Sequence, residues 1–200
     1  MVQTISSAAM VEKKASLREK IIKLKSSLDA EAVSAMSSDV ADRLFALPGF
    51  QRSRNVLVYL PLKKEVQTES MIKKCLALGK RVFVPIVDEA NNDLLVSELK
   101  GLNIKFTKEA CGTWAPEEKE REIVAPDIID LAIIPGLAFT RQGTRLGRGK
   151  GYYDKLLARL SSHVLKVGVA FDFQVLDSIP RSQRDMAVNM LLTEKETCDC

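Results

Sequence analysis

The run Val56-Leu-Val-Tyr-Leu60 constrains the fold most, because no polar residue interrupts it. Strands buried on both faces read this way, whereas strands with one wet face alternate. An amphipathic segment follows. It starts near Thr68, carries Ile72, Cys75, Leu76 and Leu78, and stops at Gly79. Arg81-Val-Phe-Val-Pro-Ile86 repeats the strand pattern, and Pro85 predicts its end or a sheet edge, since proline cannot donate to a ladder. Strand, helix and strand in this order predict a parallel pair with a right-handed crossover. Leu131-Ala-Ile-Ile134, Lys166–Ala170 and Val188–Leu192 add strands, and Leu94–Leu99 pairs back through the polar turn Asp88–Asp93.

Upstream, Leu17, Ile21, Leu24 and Leu28 recur at helical spacing, predicting a helix from Lys13 to about Ser27. Lys14 and Arg18 are four apart and share a face; at 100° per residue they border the apolar stripe. Basic residues there either snorkel or meet a ligand, and spacing alone does not choose. A second helix begins near Ala30 with Asp29 as N-cap, carries Val33, Met36, Val40, Leu44 and Leu47, and ends at Pro48-Gly49. Residues 100–126 show no readable period. Trp114, within them, either caps the core or stacks on a flat ligand. The charged run from Pro116 to Arg121 reads as solvated.

The stretch Gly143-Thr-Arg-Leu-Gly-Arg-Gly-Lys-Gly-Tyr-Tyr-Asp154 carries the chemistry. Glycines at alternate positions permit positive φ and close approach to a ligand. Successive N–H groups of such a loop form an anion nest, and the helix starting at Tyr152 points its positive end at the same place. Arg145, Arg148 and Lys150 add full charges. Asp154 beside an anion implies a bridging metal ion, which suggests Mg²⁺. Neither standard phosphate motif fits: Lys150 is followed by Gly151 where a P-loop needs Ser or Thr, and Gly147, Gly149 and Gly151 fall one residue short of G-x-G-x-x-G.

The contiguous segment Arg145–Asp154 resembles the signature of the 5-formyltetrahydrofolate cyclo-ligase (5,10-methenyltetrahydrofolate synthetase) family, and the resemblance runs from about Lys14 to the last strand. It implies a three-layer α/β/α single domain with a mostly parallel central sheet, of the NagB/RpiA/CoA-transferase-like kind. It further implies ATP-dependent closure of 5-formyltetrahydrofolate to 5,10-methenyltetrahydrofolate, with Mg²⁺, and release of ADP and phosphate. By the same resemblance Lys14, Arg18 and Arg145, Leu146, Gly147, Arg148, Gly149, Lys150, Gly151, Tyr152 and Tyr153 hold the nucleotide. Arg148 and Lys150 lie near the transferred phosphoryl. Leu60, Glu65, Arg148, Gly149, Lys150, Gly151 and Tyr152 meet the folate, and Asp154 and Asp185 bind the metal. Asn189 stands where relatives carry a second carboxylate, which puts the strength of metal binding in doubt.

Composition bounds the alternatives. The 200-residue chain has 46% hydrophobic and 28% charged residues, which suits one globular domain with a substantial core. Thirty basic against 26 acidic residues give +4, too little to imply a nucleic-acid binder. No apolar run approaches the ~20 residues of a membrane span. Cys75, Cys111, Cys198 and Cys200 show no C-x-x-C pair, and His163 is the one histidine, so a reduced cytoplasmic setting is expected, a mitochondrial one being left open. Met1–Met10 lacks Lys and Arg and makes a poor targeting peptide. Residues 1–12 are expected as a disordered tail, 13–194 as the catalytic domain and 195–200 as a flexible tail, in a monomer that binds small molecules. A kinase or ligase for another small substrate stays open, as does, with less support, a nucleic-acid module built on Arg141, Arg145, Arg148 and Lys150.

Overall fold

The structure, a computed structural model, describes residues 7–109 and 112–200. Helix α1 (Ser7–Ser26) starts at Ser7 rather than Lys13, so the expected tail is helical from Ser7 on; residues 1–6 and Cys111 lie outside the described residues. Helix α2 (Ala30–Ala46) is capped as its sequence requires, with the Ala32 N–H donating to the Asp29 carboxylate at 2.7 Å. Pro48 then opens a short helix, α3 (Pro48–Arg52), because a proline ring suits the first helical turn.

Strand β1 (Asn55–Leu57) is shorter than its apolar run: after the Val58 N–H meets the Phe83 carbonyl at 2.8 Å, the chain leaves the sheet. Helix α4 (Glu69–Ala77) leads to β2 (Arg81–Asp88) and β3 (Asp93–Leu99), antiparallel from Val82↔Leu99 to Asp88↔Asp93. Pro85 lies inside β2, not at its end. It is tolerated because β1 stops opposite Phe83, leaving the rest of β2 with one ladder partner. The segment without a readable period holds three short strands: β4 (Phe106–Lys108) and β5 (Trp114–Pro116), paired together, and β6 (Glu122–Val124) on β3.

Strand β7 (Leu131–Pro135) feeds a small hairpin, β8 (Ala138–Phe139) and β9 (Arg145–Leu146), then α5 (Tyr152–Arg159) and β10 (Leu165–Val169). Strands β11 (Met190–Leu192) and β12 (Thr197–Asp199) complete the main sheet, ordered β12-β11-β10-β7-β1-β2-β3-β6. Contacts from β11 to β2 are parallel and the outer ones antiparallel. The C-terminus is thus an edge strand, not a flexible tail: Leu191 pairs with Cys198.

Alternation along the strands sorts the core into two faces. Val56, Val82, Ile133 and Val167 pack with Val40, Leu44 and Ile72 of α2 and α4. Leu57, Phe83, Ala132 and Ile134 pack with Leu156 and Leu157 of α5. Two helical layers enclosing one mostly parallel sheet match the expected three-layer α/β/α architecture. Helix α1 instead sends Ile21 into a third cluster with Leu137, Ala138 and Leu146 of the small hairpin.

Strand order reverses at β1: the chain first proceeds to β2 and later returns on the other side through β7. Ligands of open α/β sheets bind in the crevice beyond the strand ends at such a switch point.

Candidate active site

A cavity of about 470 Å³ opens there. It is lined by the loop after β1, the hairpin after β7, the start of α5, and α1. Lys14, Arg18, Leu60, Glu65, every residue from Arg145 to Asp154, and Asp185 all reach it, so the residues named from sequence converge on one place. Its size is that of a small-molecule site.

The signature loop owes its shape to different causes at different glycines. Gly149 (φ 109°) and Gly151 (φ 72°) need positive φ, but Gly147 does not. At Gly147 the demand is space: a Cβ would lie 2.9 Å from the Arg145 guanidinium. Gly151 is also the N-cap of α5 and brings no side chain to the first N–H groups, which leaves that helix end open toward the cavity.

Helix α1 closes one side. The Lys14 ammonium pairs with Asp185 at 2.5 Å, and Arg18 Nε donates to the Gly147 carbonyl at 2.9 Å. These residues do not border the buried face; they are its centre. Taking Lys14 as 0°, Arg18 falls at about 40°, Ile21 at about 340° and Lys25 at about 20°. Leu24, expected inside, is 43% exposed, while Lys25 is 6% exposed. The Asp185 carboxylate and the Gly147 carbonyl explain why Lys14 and Arg18 occupy that stripe.

The opposite wall is set by Glu65. Its Oε2 accepts from the Leu62 N–H at 3.0 Å and its Oε1 from Arg148 at 2.7 Å, tying two loops 83 residues apart. Pro85 and Val87 of β2 and Leu94 of β3 add apolar surface, and Trp114, 46% exposed, stands at the rim. Trp114 is the residue that the sequence left undecided, and its place favours contact with a ligand over capping the core. Tyr59, also lining the cavity, donates to the Val66 carbonyl at 2.8 Å, and burial raises its phenol well above the usual value.

Two carboxylates face the same space. Asp154 Oδ1 accepts from Arg145 at 2.8 Å and from the Met186 N–H at 3.1 Å, which places Asp185 next to it along the wall. Burial works against ionised Asp185, but the Lys14 ammonium and the Ser182 N–H outweigh it and hold the carboxyl below its usual value. Among the described residues no three acidic, His or Cys side chains gather to hold a metal on their own. A pair of carboxylates nevertheless fits Mg²⁺, which commonly takes one or two from the protein and completes its shell with water and phosphate oxygens.

Other expectations resolve away from the cavity. Asn189 accepts from the Lys166 N–H at 3.0 Å beside β10 and is not among the residues that line the cavity. His163 is exposed and bonds Ser161. Cys75 is a core thiol, pushed up to about 11 by burial. Arg141 pairs with Glu196 and Arg145 is buried, so the basic residues of the nucleic-acid reading form no common exposed face.

The family model of 5-formyltetrahydrofolate cyclo-ligases matches residues 10–194. The chain belongs to this family. It is 30% identical to the mouse 5-formyltetrahydrofolate cyclo-ligase, covering 90% of this chain and 93% of that one. It is 29% identical to a probable cyclo-ligase of Caenorhabditis elegans, over 95% and 97% of the two chains. The solved 5,10-methenyltetrahydrofolate synthetase of Aquifex aeolicus superposes with a TM-score of 0.81 at 35% identity, covering 93% of this chain and 92% of that one. Membership of the cyclo-ligase family makes the chain a ligase, and no described helix is long and apolar enough to cross a membrane.

Proposed function

We propose that this protein uses Mg-ATP to close 5-formyltetrahydrofolate to 5,10-methenyltetrahydrofolate through a phosphorylated formyl oxygen. One observation carries the reading: the glycine loop, the open end of α5 and the cations of α1 surround the same cavity as Glu65 and an apolar wall. One half suits a polyphosphate, and the other suits a flat ring whose N–H donors need a carboxylate.

A formamide oxygen is a poor leaving group. Transfer of the γ-phosphoryl to it makes phosphate the leaving group and leaves the formyl carbon an activated iminium. The neighbouring folate nitrogen attacks that carbon and gives up its proton to the departing phosphate, the C–O bond breaks, and phosphate leaves with the former formyl oxygen. Phosphoryl transfer asks for positioning and charge stabilisation rather than a protein nucleophile. Arg148 and Lys150 supply charge at the loop tip, while the N–H groups at the start of α5 orient the phosphates. Glu65 accepts from the pterin, and Trp114 and Tyr152 exclude water from the ring. Asp154 and Asp185 would hold Mg²⁺, which neutralises phosphate charge when bound.

Mixing the protein with Mg-ATP and 5-formyltetrahydrofolate should give methenyl absorbance only when all three components are present. Folded protein that yields no product with them would point to another small substrate of the same phosphate site. Asp154→Asn should raise the Mg²⁺ concentration for half-maximal rate, because a hard anionic ligand is lost while the shape is kept. An unchanged Mg²⁺ dependence would remove Asp154 from the metal site.

A further inference from the structure

Lys25 is a cation that the mechanism above leaves without work. It lies on the same stripe of α1 as Lys14 and Arg18, is 6% exposed, and its ammonium is buried without a hydrogen-bond partner among the described residues. An ammonium in that position is costly unless an opposite charge stands near. The loop after β1 carries one, Glu65, which forms no ion pair with Lys25 among the described residues but acts on it through space. The loop is fastened to the end of α1 by Lys64, which donates to the Leu28 carbonyl one turn beyond Lys25, and to α2 by the Gln67 N–H on Ser37 at 2.9 Å. Burial lowers the Lys25 ammonium below its usual value, Glu65 opposes that, and Arg148 adds to it.

Glu65 has two demands on it that conflict. It is nearly buried, and its Oε1 depends on Arg148, whose side chain is 57% exposed and stands at the loop tip. In the proposed reaction Arg148 turns to the phosphoryl group. Glu65 would then be a buried carboxylate without its guanidinium partner at the moment when the folate needs it. The other titratable groups acting across this space are the phenols of Tyr59 and Tyr153, both held neutral by burial, and Lys64 is committed to Leu28.

We infer that Lys25 is the second counter-ion of Glu65, a positioning residue that keeps the carboxylate charged and in place when Arg148 is drawn to phosphate. The inference rests on the function proposed above. It makes folate binding depend on Lys25 most strongly when the nucleotide is bound.

The test is a double-mutant cycle of Lys25→Met and Glu65→Gln, read in two ways. In urea unfolding of the free protein, Glu65→Gln should shift the folding equilibrium by about tenfold with Lys25 present and by less than about threefold in the Lys25→Met background. In calorimetric titrations, Lys25→Met should weaken 5-formyltetrahydrofolate binding by about tenfold with a non-hydrolysable Mg-ATP analogue bound and by less than about threefold without it. Affinity for the analogue itself should not change. Lys25→Gln, with a polar tip, takes the place of Lys25→Met if that variant does not fold. Additive unfolding effects would overturn the pairing, and a folate loss independent of nucleotide would reduce Lys25 to a structural role. Wild-type protein that binds no 5-formyltetrahydrofolate sinks the proposed function itself, and the Lys25 role in folate binding with it, whatever the unfolding cycle shows.

Discussion

Lys150→Ala is expected to lower kcat by about 10²–10³ while the melting temperature stays nearly where it was. Three basic residues of the signature loop line the cavity, but two are engaged: Arg145 with Asp154 and Arg148 with Glu65. Lys150 is exposed, its ammonium 5.6 Å from the centre of the Tyr152 ring, and it makes no ion pair among the described residues. It is therefore the loop cation most available to a ligand. In the proposed reaction the ammonium meets charge moving from ATP to the formyl oxygen more strongly in the transition state than in the ground state, so the loss of Lys150 should appear in kcat. Lys150→Arg should recover part of the rate, since a planar fork does not replace a compact ammonium. If Lys150→Ala turns over normally at saturating ATP and only its KM for ATP rises, Lys150 binds the ground state, and the proposed charge stabilisation fails.

The parts of the fold legible in the sequence are those decided locally. Asp29 announces α2 because an N-cap acts within three residues, and the apolar runs at Val56 and Leu131 announce strands because burial on both faces leaves no alternation. Strand β12 was not legible: Thr197-Cys-Asp199 has no apolar pattern and exists because β11 offers it an edge. The same holds for β4, β5 and β6, each of three residues and each made by pairing rather than propensity.

Helix α1 misled for a different reason. Its leucines suggested a stripe centred near Leu17 and Leu24, yet the helix turns Lys14 and Arg18 to polar partners, Ile21 to the apolar hairpin, and buries Lys25 beside them. Hydrophobic periodicity finds a buried face only where burial is apolar. For the site, the signature loop was readable as an anion cradle from its own residues, and Glu65 followed only from the family resemblance. Trp114 had no local signal, because its place at the rim depends on the β4–β5 pairing and on where β2 and β3 end.

Phe139→Ala should be the most destabilising single substitution in the frame of the site, at about 3–5 kcal/mol. The ring is fully buried and occupies the space that two glycines leave: a Cβ on Gly136 would lie 2.6 Å from it and one on Gly168 2.7 Å. Gly136 follows β7 and Gly168 belongs to β10, so the ring wedges the small hairpin against the centre of the sheet. Phe139 also pairs with Arg145 across that hairpin, and its carbonyl accepts from the Leu176 N–H at 2.8 Å. Truncation leaves a void that glycines cannot fill. For a chain of this length the loss corresponds to a fall in melting temperature of roughly 10 °C. Gly168→Ala overpacks the same space and should cost about 1–3 kcal/mol. Phe139→Leu combined with Gly168→Ala should cost less than the two separately, because the smaller side chain makes room for the methyl. Well below its melting point, Phe139→Ala should also raise the KM for ATP, since Arg145 and the glycine loop ride on the hairpin that the ring holds. Thermal denaturation of Phe139→Ala, Phe139→Leu, Gly168→Ala and the double variant decides it: strictly additive losses, or a Phe139→Ala cost under about 1 kcal/mol, would mean that the hairpin is held by other contacts.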